Sequence, residues 1–490
     1  MKYYISIGLI FITINAFSQN DSVLSQFSKK QLIEDYDLMV SSLKEAHTGL
    51  YWYTSPSSYE EIFQQHRDKI YEGMNSYEFF RILCSVTAAD KEGHSNANPS
   101  KEVSNYYRTK GKFLPIGVKV VNKKLFVINN INFKRTRGNV IKSINGIAID
   151  SILREIFRHK SSLSDGFTTT GKFNSINRYS FSSNYFDYVY DFKKEKLSVT
   201  LLDTLTNLEN TLSVNLVSRD SLLSIGKTTP RTEIEKNEKL FKFKIHQNTK
   251  IAVMGFSTFS YNAYARKNLN FKSVVDSLFL VIKKHKIKKL IIDIRNNSGG
   301  TEGAEDYLYS HLTKRAYTKY EYVEVKSLKF SFINQTDYKD NTESLYSMLK
   351  GEHYLSNDGR FLRKKNVLPT ELPKKKPFKG DLYILISGRT YSGGSEFASI
   401  AKSHNRALFV GEETGGGFYG QTSGSYIYLT LPNTQNKVRI PLLKFFTSFK
   451  SNDIPFGRGV IPDYKITQTF EDYINNVDSQ MEFTLNLIKD

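Results

Sequence analysis

The residues best placed to do chemistry lie where the apolar run Asp381 to Ser387 passes into Gly388-Arg389-Thr390-Tyr391-Ser392-Gly393-Gly394-Ser395. That pattern predicts a buried strand turning sharply into a helix, with Ser392 at the bend and its Oγ exposed. A serine hydroxyl is a weak nucleophile until a base takes its proton, and the tetrahedral oxyanion it forms needs fixed donors. The N–H of Gly393, at the helix start, is one candidate donor. A second strand running into glycines, Leu290-Ile291-Ile292-Asp293-Ile294-Arg295-Asn296-Asn297-Ser298-Gly299-Gly300, offers another. Gly299 or Gly300 would supply it, because only glycine permits so close a backbone approach, and Gly299 is preferred. Ser395 is the rival nucleophile but falls inside the first helical turn. Taken alone, Ser392 would more often be a helix cap.

Its companions change that reading. Asp293 to Gly300 resembles the D-x-R-x-N-x-G-G signature of the tail-specific, or C-terminal processing, serine peptidases of family S41. Thr390-Tyr391-Ser392 with Glu396-Phe397-Ala398 resembles that family's nucleophile segment. Val410-Gly411-Glu412-Glu413-Thr414-Gly415-Gly416 and Gly459-Val460-Ile461-Pro462-Asp463 resemble its V-G-E-x-T-x-G and G-V-x-P-D elements. The resemblance implies an exported serine endopeptidase acting on unfolded or C-terminal polypeptide segments, with Ser392 as nucleophile and no cofactor. One branch of the family uses a lysine base whose place here is Gly417, so the resemblance points to the tricorn-like branch, with a histidine base. Asp90-Lys91-Glu92-Gly93-His94 is similar to that branch's D-G-H turn, making His94 the base and His47 the second choice. A free imidazole titrates near 6.5, so the rate is expected to rise through roughly pH 6 to 7.5. The branch places a glutamate just before Gly459; Phe456 stands there, and Asp453 is the substitute. Alternative readings are a catalytically degraded S41-fold protein binding a peptide or hydrophobic ligand, and an esterase using the same serine.

Composition narrows the setting. The chain of 490 residues is 39% hydrophobic and 13% aromatic, enough for several packed domains. Met1-Lys2-Tyr3, the apolar run Ile5 to Phe17 and the ending Ala16-Phe17-Ser18 have the form of a secretory leader over residues 1–18, which implies a periplasmic or secreted protein. No later segment approaches the roughly 20 apolar residues of a membrane span. Cys84 is the single cysteine, so no disulfide framework exists, and its apolar surroundings predict a buried side chain. The net charge of +20 is spread along the chain without a nucleic-acid motif, which argues against nucleic acid and leaves attraction to an anionic cell surface. Neither metal-ligand spacing nor a phosphate-binding glycine loop occurs.

The elements that must position these residues follow from periodicity. A helical region is expected over 19–110, with Ser58 and Glu61 as one capping box and Ser76 as another cap. Short alternating strands fill 111–218. Within them, Gly138 to Ile147 followed by an apolar helix resembles a PDZ-like domain, which implies strand-addition binding of peptides. From 219 to 490 strands alternate with helices, the α/β pattern of the catalytic core, interrupted by an irregular insertion at 314–380 and closed by a helix from 470 to 488. The fold class expected is therefore α/β and multidomain.

Overall fold

The computed structural model describes residues 24–489, apart from 133, 162, 191–193, 233–234, 236–238 and 247–248. The expected leader, residues 1–18, lies outside the described residues. No helix among them is long and apolar enough to cross a membrane.

The centre of the molecule is a six-stranded sheet built from β1 (Phe241–His246), β2 (Ile251–Phe256), β3 (Lys289–Asp293), β4 (Asp381–Ile386), β5 (Leu408–Gly411) and β6 (Tyr464–Lys465). Its strands run β6-β5-β4-β3-β2-β1 across the sheet, all neighbours parallel except β1 against β2. Parallel strands are covered on both faces, which is why β4 is an unbroken buried run from Leu382 to Ile386. Ile292, Ile384 and Ile386 face one core with Val275, Leu308 and Phe397 from helices Phe271–Lys284, Ala304–Ser310 and Gly393–Ser403. Ile291, Leu385 and Val410 face the other side, against Ile488 of the last helix, Ser479–Lys489. The expected single helix over 470–488 is two, Phe470–Ile474 and Ser479–Lys489.

The N-terminal helices Lys29–Ala46, Pro56–Arg67 and Ser76–Ala88 form as expected, but two of their caps differ. Ser55, not Ser58, caps the second helix, with Pro56 at its first position, where proline's missing N–H has no helical partner to lose. Asn75 with Glu78, not Ser76, makes the capping box of the third. These helices do not form a core of their own. Leu32, Met39, Leu43 and Leu83 pack with Val323, Leu429, Ile440 and Phe445 of a second sheet, in which Gly420–Thr430, Lys437–Thr447 and Tyr320–Val325 are neighbours. The segment 314–380 thus supplies three strands, Tyr320–Val325, His353–Leu355 and Phe361–Arg363, and a helix, Thr342–Glu352, to this layer. A third sheet occupies residues 118–215, its strands closing over Ile152, Leu153 and Ile156 of the helix Ile149–Arg158.

Candidate active site

β3 and β4 are parallel neighbours, with Asp293 opposite Leu385, so the loops that leave their carboxyl ends emerge side by side. This is where ligands settle in open α/β sheets. Ser392 occupies the position before the helix Gly393–Ser403 at φ 53 and ψ −129, and its side chain makes no capping hydrogen bond. A non-glycine residue at such angles is strained, and here the strain aims the hydroxyl away from the backbone it would otherwise cap. The side chain of Ser395, by contrast, is buried and donates to the Ser392 carbonyl at 2.8 Å, which removes it as a nucleophile.

Gly299 lies against the serine. With φ +96, a Cβ there would stand 2.7 Å from Ser392 Cβ and 2.8 Å from Gly393 N. The Gly299 N–H, however, is not open to an oxyanion, because it donates to Asn297 Oδ1 at 2.8 Å. The next amide, Gly300 N, has no acceptor among the described residues and is 3.7 Å from where a Gly393 Cβ would be. The expected donor therefore moves one residue along, for a local reason: the asparagine side chain closes a turn onto the first glycine.

Other residues of the S41-like segments are braces. Arg295 pairs with Asp293 at 2.7 Å and with Asp478 at 2.6 Å, tying the glycine loop to the start of the last helix. Glu413 accepts two hydrogen bonds from Arg458 and one from Gly459 N, and Thr414 Oγ1 accepts from Val460 N, so these two segments clip each other. Beneath the helix that follows Ser392, Lys319 is buried among Glu305, Asp306 and Glu396. Three carboxyls around one ammonium cannot all be ionised out of water. Burial drives the Glu305 carboxyl well above the usual carboxylate range.

His94 stands against Tyr391. Its loop is fixed by the short strand Asn96–Asn98, which pairs Asn96 with Arg439, and by Arg439 Nε donating to the His94 carbonyl at 2.6 Å. The imidazole is buried, with its ring centroid 4.8 Å from that of Tyr391, and its Nδ1 is 3.0 Å from Tyr391 Oη. The Tyr391 hydroxyl also donates to Asp165 Oδ1 at 2.8 Å. Asp165 is itself fully buried and accepts from Gly93 N at 3.1 Å and Gly417 N at 3.3 Å. A Cβ on Gly93 would collide with the Tyr391 hydroxyl, which explains the glycine of the Glu92-Gly93-His94 turn. Neither Ser392 Oγ nor His94 Nε2 has a hydrogen-bond partner among the described residues, and none joins them to each other. Catalytic hydrogen bonds of this kind often close only around substrate.

Burial, and secondarily the Arg439 charge, lower the His94 pKa to about 3. The expected titration near 6 to 7.5 is corrected accordingly: from pH 5 upward this ring is neutral. Burial raises Asp165 to about 6, the three hydrogen bonds from Gly93, Tyr391 and Gly417 opposing the rise. Its neighbour Glu92, held by one long hydrogen bond from Thr422 N, is raised well above the ordinary range by burial and by Asp165 and holds its proton.

Two other expectations change. His47 is not a free base: its Nε2 lies 3.0 Å from Asp90 Oδ2 and its Nδ1 accepts from Gly49 N, so both nitrogens are engaged, the first with the turn that carries His94. Asp453 is exposed on a loop and has no hydrogen bond or ion pair to His94 or Ser392. The neighbouring Phe456 joins an aromatic cluster with Tyr53 at 5.5 Å and Trp52 at 6.4 Å. Tyr391 was legible only as part of the nucleophile segment, and Asp165 carried no sequence signal. A cavity of about 1370 Å³ between the third sheet and the core, lined among others by Lys119, Arg178, Arg389 and Glu412, includes neither Ser392 nor His94. Among the described residues, no three His, Cys, Asp or Glu side chains converge as metal ligands.

Residues 250–466 match the model of peptidase family S41. That span carries the S41 peptidase core. The protein is a serine-type peptidase, and the matched span holds the Ser392 turn and the Gly299-Gly300 loop, while His94 and Asp165 precede it. The fold is similar to that of mature CPAF complexed with lactacystin, with a TM-score of 0.62 and 14% identity over 94% of this chain and 98% of that one. It is likewise similar to mature CPAF by itself, at TM-score 0.60 and 13% identity over 94% and 97%.

Proposed function

We propose that this S41 peptidase is an exported endopeptidase cleaving unfolded or C-terminal polypeptide segments by a Ser/His mechanism of the tricorn-like kind. The observation that carries the reading is Ser392 itself, strained, uncapped and packed against Gly299, with an N–H from each of Gly393 and Gly300 beside it. Ser392 Oγ attacks the peptide carbonyl carbon and its proton passes to His94 Nε2. The oxyanion is held by the Gly393 and Gly300 amides. Collapse breaks the C–N bond, the amine leaves with the proton from His94, and water, deprotonated by the same nitrogen, releases the acyl group. Lysine chemistry is disfavoured because Gly417 presents only its N–H, to Asp165. The exposed rings of Phe456 and Phe167, flanking Tyr53, offer an apolar wall to substrate side chains. The leader-like residues 1–18 support export, and the third sheet with its helix supports a PDZ-like role for residues 111–218.

The test is labelling of the mature chain by a fluorophosphonate probe together with hydrolysis of unstructured peptides, the adduct being mapped by mass spectrometry. An adduct on Ser392 is expected. No labelling and no hydrolysis between pH 5 and 9 would favour the ligand-binding alternative. The glycine loop provides a further check. Gly299→Val places a branched side chain on top of Ser392 Cβ and strains a positive-φ position. Turnover should fall about 10²- to 10³-fold, because the side chain displaces Ser392 and the Gly393 amide that faces the oxyanion, measured as kcat on a folded variant.

A further inference from the structure

We infer that Tyr391 and Asp165 are the positioning pair of the base: the phenol of Tyr391 relays the Asp165 carboxylate to His94 Nδ1 and so holds the imidazole with Nε2 unprotonated and facing the reaction. The inference rests on the Ser392/His94 reading and supplies the orienting group that Asp453 does not.

The argument is a count of protons. Tyr391 has one hydroxyl proton, and an ionised Asp165 accepts but cannot donate, so the 2.8 Å contact takes that proton. The phenol oxygen is then left only as an acceptor toward His94 Nδ1 at 3.0 Å, so Nδ1 must carry the imidazole proton. Nε2 keeps its lone pair. Ionisation of Asp165 rather than Glu92 follows from their surroundings, since Asp165 receives three donors and Glu92 a single long one. Tyr391 keeps its own proton, because burial and the Asp165 charge raise its pKa well above the usual phenol value. The charged and titratable groups around the ring are Arg439 and Tyr426 from the second sheet, Tyr391 from the nucleophile turn, Asp165, and Glu92 and Asp90 from its own loop.

The carboxylate comes from outside the catalytic core. Asp165 sits between the helices Ile149–Arg158 and Thr170–Ser175, on a segment wedged between the two loops it serves. Asp165 N donates to Gly415 O, Gly166 N to Lys91 O and Phe167 N to Gly457 O. Thr170 Oγ1 donates to Glu413 O, and a Cβ on Gly388 or Gly415 would strike this segment's backbone. Docking of the segment is therefore a condition for the base to be oriented.

The experiment uses the mature chain and Tyr391→Phe and Asp165→Asn variants, with kcat, KM, fluorophosphonate labelling rate and thermal midpoint measured from pH 5 to 9. Tyr391→Phe deletes the relay while leaving Asp165 its two backbone donors. It is expected to lower kcat on the order of 10²-fold with KM unchanged and Ser392 still labelled, slowly. In the unsubstituted protein the rate should rise with pH through about 6 as Asp165 ionises, and Asp165→Asn should abolish that limb. Normal kcat in folded Tyr391→Phe, or a limb near 6 that survives Asp165→Asn, overturns the inference alone. Failure of the unsubstituted protein to label at Ser392 overturns the Ser/His reading and this inference with it. If Tyr391→Phe does not fold, ring nitrogen-15 spectra of the unsubstituted protein decide, with the His94 signals assigned by their loss in His94→Gln. A ring protonated at Nδ1 supports the relay, and one protonated at Nε2 overturns it.

Discussion

Ser392→Ala should abolish fluorophosphonate labelling and lower peptide hydrolysis by roughly 10⁶-fold, the scale seen when the nucleophile of a serine peptidase is removed. The loss is that of the attacking atom, not of the fold. Ser392 Oγ makes no hydrogen bond to the helix it precedes, so deleting it leaves no buried group unsatisfied and the thermal midpoint should be nearly unchanged. Ser392→Gly separates strain from chemistry further. A residue at φ 53 and ψ −129 carries about 1–3 kcal/mol of backbone strain, which glycine relieves, so this variant should be inactive and unfold at higher temperature. Ser395→Ala should keep most activity, since that hydroxyl is buried against the Ser392 carbonyl. Labelling that survives Ser392→Ala but disappears in Ser395→Ala would reverse the assignment.

His94→Ala should lower kcat by about 10⁴-fold, the upper range for loss of a general base. The sign of its pH dependence follows from burial. A base works in its unprotonated form, and with its pKa lowered to about 3 the His94 ring is unprotonated throughout pH 5 to 9. The variant should therefore lose activity across that range instead of only above 6.5. Its residual rate should climb steadily with pH, because hydroxide must replace the missing base. A variant that keeps the unsubstituted rate at any pH in this range would remove His94 from the chemistry and leave Ser392 without a base among the residues near it.

The family resemblance was readable because its signals are local. Strand-to-glycine turns, a serine at a bend, and the Val410–Gly416 and Gly459–Asp463 segments are short patterns whose residue types follow from backbone needs at each position. The structure explains their spacing by cross-bracing, Glu413 to Arg458 and Arg295 to Asp478. The central sheet was equally legible, since buried parallel strands such as Leu382–Ile386 are continuous apolar runs. Even the failures at helix starts were small, a shift from Ser58 to Ser55 and from Ser76 to Asn75, because several small polar residues compete to cap one turn.

What the sequence by itself determined, then, is the turn that holds Ser392 and the strands that carry it, since each depends on neighbours a few residues away. What only the tertiary structure decided is how His94, the proposed base, is held. Asp165 accepts from Tyr391 across 226 positions of chain, and Tyr391 meets His94 across 297. No local pattern marks an aspartate whose partners lie in three other segments. The same holds for the oxyanion donor, where one asparagine side chain turning onto Gly299 leaves the next amide free. It holds for Asp453 as well, whose exposed loop position could not be told from its place near Gly459 in the chain. Chain proximity constrains backbone turns, whereas a buried carboxylate is placed by whichever N–H and O–H groups the packed domains bring to it.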